Sequence, residues 1–468
     1  MPPEASSLPY AIDGEPDSLA KWYNKFFKRA DMDYLLSIAQ NARGGGHQCL
    51  YGARTSGAYN CVIFLKFDDD IEWVLKVPQY ANFHLDTENQ DEDEKMQSEY
   101  ATLLFLEELG TVPAPKVHAC NYMRDNPAKT PYIFMDKVAG VPLIHAIDNG
   151  IGRENIHRTL TDLATIRKNL LKESFAEIGS LHAISADPPF YIVDFMISGR
   201  TIQDTDNRYG PYASSLHYYT HMLGITWKHH IFSADGEDVN DLSKRWTLHL
   251  YLLSILAPFL KGNTNKFYLA HTDLDAQNIF VNDDGSIAGI IDWEFAVTLP
   301  LRAAEHYPLI LADKSRFQER YEDVFDDPLA ELQEWRNFYA KEFQGMTEME
   351  DYLKDIDMIL AFEDMIRDHE KVTTENMVEV HKLIDSIATL EHLPIPFPWN
   401  QPTTAATFRP FLPPIANGTT RADIMVAAPE THPAGKEGTE ILDEKDHPSV
   451  EETVQNGRTG ERCKTESS

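Results

Sequence analysis

The segment HTDLDAQNIFVNDDGSIAGIIDWE, His271 to Glu294, constrains this chain more than any other part of it. Asn278 to Val281 is a short apolar run, and Ile287 to Ile291 is another. Between them stands Asn-Asp-Asp-Gly-Ser, residue types that accept the backbone angles of a reversal, so the segment predicts a β-hairpin. Folded symmetrically about Gly285, it pairs Val281 with Gly289, Phe280 with Ile290 and Ile279 with Ile291. Asn278 then falls opposite Asp292, where the strands open. Asp273 lies upstream of Asn278, on a short loop entering the first strand. Three oxygen-bearing side chains therefore converge at one end of a small apolar element. An amide and a carboxylate so placed suit a hard cation such as Mg²⁺, which takes oxygen ligands and shares them with substrate phosphates. The remaining aspartate, Asp273, is placed to accept a proton from a hydroxyl. Any one of these acids alone reads more simply as a turn former or a solvated charge. The set, at this spacing, reads as chemistry.

Lys76 stands in EWVLKVP, a strand with apolar neighbours on both sides, which implies burial on both faces. A buried ammonium loses its hydration unless a negative partner compensates. The predicted helix Asp91 to Leu109 offers one. Met96, Glu99, Leu103 and Leu106 recur at helical spacing, so Glu99 occupies the apolar face, while Asp91 to Glu94 crowd the helix N-terminus. Lys76 and Glu99 are expected to face each other. The rival reading makes Lys76 a lysine whose head reaches solvent from an edge strand, and Glu99 a rim residue.

The spacing H-x-D-x-x-x-x-N followed by I-I-D-W resembles the aminoglycoside phosphotransferase family, small-molecule kinases on a protein-kinase-like scaffold. HTDLDAQN with IIDWE looks particularly like the large fungal branch of that family. The resemblance implies an α+β, protein-kinase-like two-lobed fold. Its N-lobe would be a small antiparallel sheet with one packed helix, and its larger C-lobe mainly helical. Residue by residue, it implies Asp273 as the catalytic aspartate, and Asn278 and Asp292 as Mg²⁺ ligands. Lys76 and Glu99 would be the pair that holds the α- and β-phosphates of ATP. The strand–turn–strand around Arg54 to Asn60 would cover those phosphates, with Gly57 at the nucleotide. Here the signal is sparse, because only Gly52 and Gly57 are present and no G-x-G-x-x-G occurs. Tyr132 to Met135, leaving through a Gly-containing segment, would be the hinge that meets the adenine.

A protein kinase is a poorer match, since H-R-D-L and D-F-G are missing and no A-P-E follows the hairpin within the expected helical lobe. The resemblance therefore implies a phosphotransferase acting on the hydroxyl of a small molecule. It does not fix the acceptor, because choline, homoserine and methylthioribose kinases share the scaffold. A catalytically idle nucleotide-binding or scaffold protein of the same fold is the alternative. The sparse glycine turn points that way, and the complete set Lys76, Glu99, Asp273, Asn278 and Asp292 points to the enzyme. His271 is expected to pack beneath its loop and hold it by hydrogen bonds, and Trp293 to be core. Glu294 is open between supporting the metal site and being merely solvated.

The formal charge of −32 over 468 residues argues against a nucleic-acid partner, because a phosphate backbone would be repelled. It is compatible with an amine-bearing acceptor, although acidic surfaces also serve solubility. Cys49, Cys61, Cys120 and Cys463 show no paired or metal-ligand spacing, so free thiols in a reducing compartment are expected. The acidic start, MPPEASSLPYAIDGEPD, has no apolar run of the signal-peptide kind. Leu248 to Leu260, the longest apolar-rich stretch, is too short and too interrupted to span a bilayer. A cytoplasmic location with no membrane contact is the expectation.

Along the chain, residues 15–43 read as helical up to the stop Gly44-Gly45-Gly46, and strands are expected at Gln48–Ala53, Cys61–Phe67 and Glu72–Val77. Further helices are expected at Leu160–Ile184, Asp241–Lys261, Leu329–Glu342, Met349–His369 and Glu375–Leu390. The expected division is an N-terminal helical extension at 1–43, an N-lobe at 44–138 and a C-lobe at 139–393. A disordered tail is expected at 394–468, where Pro, Thr and Gly accumulate and aromatics thin out.

Overall fold

The computed structural model describes residues 9–11, 17–57, 59–79, 90–183, 190–195, 209–233, 265–304 and 307–346, with isolated positions at 249–260 and 360–366. The helical stretch expected over 15–43 forms two helices, α1 (Asp17–Arg29) and α2 (Met32–Arg43). Asp31 makes the break. Its carboxylate accepts from the Tyr34 N–H at 2.9 Å, satisfying one of the donors that a helix N-terminus leaves open. α2 stops at Gly44, which takes φ 70° and donates its N–H to the Gln40 carbonyl.

A six-stranded sheet follows, built from β1 (Tyr10–Ala11), β2 (Cys49–Ser56), β3 (Asn60–Phe67), β4 (Glu72–Pro78), β5 (Val117–Asn121) and β6 (Tyr132–Asp136). The order is β1-β2-β3-β4-β6-β5. Its pairs are antiparallel except β1 with β2, so the expected all-antiparallel sheet gains one parallel edge. Period-two alternation then sorts the side chains. Trp73, Leu75, Val77, Tyr132 and Phe134 enter a core with Trp22, Tyr23, Phe26 and Leu35 of the first two helices. Ile133, Met135 and Val74 instead meet Met96 of α3 (Gln90–Leu109). Helices thus cover both faces, not the single packed helix that was expected. Lys76 has the parity of Val74, and so projects toward α3.

The rest of the described chain is mainly helical, with short strand pairs inserted. β7 (Val141–Pro142) leads into α4 (Leu143–Asp148) and α5 (Arg153–Leu170). The helix expected from Leu160 to Ile184 ends at Leu170, because residues 180–183 form β8 (Ser180–Ala183), paired with β9 (Phe190–Val193). A Cβ on Gly179 would lie 2.0 Å from the Val193 carbonyl oxygen, so that pairing uses the absence of a side chain there. Tertiary strand pairing overrides the helical pattern.

Then come α6 (Ser215–Ser233), β10 (Phe267–Ala270), the hairpin strands β11 (Ile279–Val281) and β12 (Ile287–Ile290), and β13 (Val297–Pro300). Four helices close the described part: α7 (Leu301–Ala304), α8 (Leu309–Ala312), α9 (Lys314–Tyr321) and α10 (Pro328–Lys341). One large core, including Leu163, Phe267, Trp293 and Trp335, unites these elements. The architecture is α+β and two-lobed. Most of the helix expected at 241–261, most of that at 349–369, and everything from 375 onward lie outside the described residues. Among the described residues no helix is long and apolar enough to cross a membrane.

Candidate active site

β10 and β13 pair antiparallel, Ala270 opposite Val297, and so close the base of the loop and hairpin between them. Within the hairpin the register is Ile279 with Ile290, Phe280 with Gly289 and Val281 with Ile287, with an irregularity between Phe280 and Val281. Ala288 is the extra residue, a β-bulge. The symmetric register expected from the turn is therefore off by one residue at Ile279 and Phe280 and by two at Val281. Asn278 stands opposite Ile291, whose N–H donates to the Asn278 carbonyl at 2.9 Å, and Asp292 comes one residue later. The outer contacts of β12 override the symmetry of the turn. The Ile290 N–H donates to the Pro113 carbonyl at 2.7 Å, and a Cβ on Gly289 would lie 2.7 Å from Val138.

Asp292 adopts φ 65°, the left-handed region, which costs a residue with a Cβ about 1–2 kcal/mol. Trp293 after it is buried and donates its indole N–H to the Ile290 carbonyl at 3.0 Å. His271 spans the loop as an uncharged strut. Its Nε2 lies 2.9 Å from the Ile291 carbonyl, and its Nδ1 accepts from the Asp273 N–H at 3.2 Å. Burial holds its pKa below the usual imidazole range. Asn278 donates through Nδ2 to the Asp273 carbonyl at 2.8 Å and to its carboxylate at 3.2 Å, so the amide oxygen is the atom left for a ligand.

Lys76 lies at the centre of the buried charge. Its Nζ is 2.8 Å from both carboxylate oxygens of Glu99, 2.8 Å from Asp292 Oδ1 and 3.9 Å from Glu294 Oε2. The side chains of Lys76, Glu99 and Glu294 are almost inaccessible, whereas that of Asp292 keeps 36% exposure. Burial alone would lower the lysine pKa, but Asp292, Glu99 and Glu294 reverse that and raise it, so the ammonium stays charged. Burial likewise works to raise Asp292, yet Lys76 wins and holds its carboxyl below the usual range. Glu99 is pushed up, by burial first and by sharing one ammonium with two other carboxylates. Asp273 is also raised, by burial and then by Asp292 and Asp275.

The structure therefore brings Lys76, Glu99 and Asp292 into direct contact, and joins Asp273 to Asn278 beside them. Gly57 sits in the β2–β3 turn, where a Cβ would meet nothing within 4 Å and φ is not left-handed. No packing demand explains that glycine. Three residues escaped the sequence reading or were left open by it. Glu294 is buried, accepts from Asn60 Nδ2 at 2.5 Å and lies 3.5 Å from Lys95 Nζ. Lys95 sits one turn before Glu99 on the same helix face, a spacing that signals it. Nothing local marks Asn60.

Residues 53–302, more than half of the chain, match the sequence profile of the phosphotransferase enzyme family. The chain belongs to this family. It is similar to the Clavilactone A biosynthesis cluster protein Y of Ampulloclitocybe clavipes, at 26% identity over 279 residues, which take in 56% of this chain and 63% of that protein. The match thus spans less than two thirds of that relative's length. Among solved structures it is similar to ADP-bound aminoglycoside phosphotransferase APH(2'')-Ib, at 15% identity and TM-score 0.42, covering 76% of this chain and 96% of that one. It is also similar to the streptomycin–ATP–APH(2'')-IIa ternary complex, at 13% identity and TM-score 0.40, covering 80% and 97%. At such TM-scores neither fixes the fold of this family member, which rests on its own strand order.

Proposed function

We propose that this family member is an ATP- and Mg²⁺-dependent phosphotransferase acting on the hydroxyl of a small molecule. The observation that carries the reading is the Lys76–Glu99–Asp292 cluster beside the Asp273–Asn278 pair. Charge of one kind is buried and neutralised on the N-lobe side, and oxygen donors stand on the hairpin side. Phosphoryl transfer needs little covalent help from protein; it needs positioning and charge neutralisation.

The donor set fits a hard cation. Asn278 has its amide nitrogen committed to Asp273, leaving Oδ1, and Asp292 is the one carboxylate of the buried cluster with appreciable exposure. Asn278 and Asp292 would hold Mg²⁺, which when bound offsets the phosphate charge. Lys76, kept in place by Glu99, would contact the α- and β-phosphates, and the turn containing Gly57 would lie over them. Asp273 would accept the proton of the attacking hydroxyl. Burial, with Asp292 and Asp275 beside it, raises its pKa, which makes it a better base than an ordinary surface aspartate.

The acidic body favours an amine-bearing acceptor over a nucleic acid, and Cys49, Cys61 and Cys120, which form no disulfide among the described residues, suit a cytoplasmic setting. The test has two steps. A thermal-shift titration with ATP and Mg²⁺ reads nucleotide binding, and turnover of a hydroxyl library then reads transfer, with Asp273→Asn as the control. A chain that binds ATP but phosphorylates nothing would be an idle scaffold. One that ignores ATP would sink the reading altogether.

A further inference from the structure

Asn60 and Glu294 are 234 positions apart in sequence, yet their side chains meet at 2.5 Å. Both are buried, as is Lys95, whose Nζ lies 3.5 Å from the same Glu294 Oε2. Lys76 does not need this carboxylate, because Glu99 and Asp292 already contact it at 2.8 Å while Glu294 stands off at 3.9 Å. The aromatic neighbours repeat the pattern. Tyr59 packs edge-on against Phe295 at 5.2 Å, and the Lys95 ammonium lies 4.6 Å above the Tyr59 ring and 5.5 Å from that of Phe295. Two consecutive residues at the end of the β2–β3 turn therefore meet two consecutive residues just past Asp292, and one lysine of α3 lies against Tyr59, Glu294 and Phe295.

We propose that Glu294 is a positioning residue, which with Asn60 and Lys95 latches the β2–β3 turn and α3 onto the segment carrying Asp292. The latch rests on the phosphotransferase reading, in which that turn covers the nucleotide. The turn has no glycine-rich motif to shape it. It is held instead from below: the Gly57 N–H donates to the Asn60 carbonyl at 2.9 Å, and the Asn60 side chain is anchored to Glu294. Glu294 thus sets the height of the turn and fixes α3, and Glu99 with it, without touching the reacting atoms. A buried carboxylate holds its partners firmly, because any one that leaves exposes an uncompensated charge.

A donor–acceptor swap tests this in the full chain. Asn60→Asp sets two carboxylates against each other. Adding Glu294→Gln restores one donor, one acceptor and one negative charge beside Lys95, with the roles exchanged. The readouts are the Kd for ATP·Mg²⁺ by calorimetry and the melting temperature. Asn60→Asp should weaken binding about tenfold or more, the scale of a lost hydrogen bond to a charged group. The double variant should return to within about threefold of the original affinity. A merely structural contact would shift the melting temperature and leave the Kd of the folded fraction alone, which would overturn the latch. So would a double variant that regains its melting temperature but binds as weakly as Asn60→Asp. If Asn60→Asp does not fold, Asn60→Ala takes its place, and an unaltered Kd there counts equally against the idea. An unsubstituted chain that binds no ATP sinks the phosphotransferase reading and the latch with it. Normal binding with an indifferent Asn60 variant sinks the latch alone.

Discussion

At the scale of single residues the decisive group is Lys76, one ammonium shared by Glu99 and Asp292 at 2.8 Å in a nearly water-free setting. Removing one member of such a cluster leaves the others buried without a counter-charge. Lys76→Ala should therefore lower unfolding stability by about 3–5 kcal/mol in denaturant titration, besides weakening ATP binding. A change below about 1 kcal/mol, the scale of an exposed pair, would mean that solvent reaches the cluster. Asp273 belongs to a different economy of contacts. It is half-buried, receives Asn278 Nδ2 on its carboxylate, and contributes nothing to the Lys76 cluster by direct contact. Asp273→Asn should keep the fold and ATP binding while turnover drops by about two orders of magnitude or more. Wild-type turnover in that variant would remove Asp273 from the chemistry.

At the scale of elements, the hairpin is aimed by its surroundings. β7 pairs with β11, Phe280 opposite Pro142 and Val281 opposite Val141, making a three-stranded sheet of what the sequence presents as a two-stranded hairpin and a loop. Gly140 makes that approach possible. It takes φ 79°, and a Cβ there would lie 2.2 Å from the Val281 carbonyl oxygen, which is backbone and has little freedom to yield. Gly140→Ala should cost about 3 kcal/mol or more, the left-handed strain plus the displacement of β7. A variant as stable as the parent chain would show that β7 is not what braces the hairpin.

At the scale of the whole molecule, the helical lobe carries a pH liability. His249 is buried, and burial lowers its pKa to about 4. The unfolded chain takes up a proton at this residue below about 6.5, whereas the folded chain resists until about 4. Stability is therefore undiminished above the unfolded value and lost as pH falls between the two. Between pH 7 and 4 the parent chain should lose about 2–3 kcal/mol more than His249→Phe, read by denaturant unfolding at each pH. Parallel losses in both proteins would place the acid sensitivity in the carboxylates instead.

The grouping of the site's residues was legible in short motifs, and the reason is physical. Asp273, Asn278 and Asp292 lie within one loop and hairpin, so their proximity is set by local chain geometry. Lys76 and Glu99 were legible through amphipathic spacing, because a charge at a buried position of a strand and another on the apolar face of a helix must find each other. What stayed hidden depends on contacts far apart in sequence. The bulge that moves Asn278 opposite Ile291 follows from β12 meeting Pro113 and Val138. The early end of α5 follows from β8 pairing with β9. The Asn60–Glu294 contact joins two segments whose own patterns give no hint of each other, because an amide and a carboxylate read as surface residues until the fold buries both.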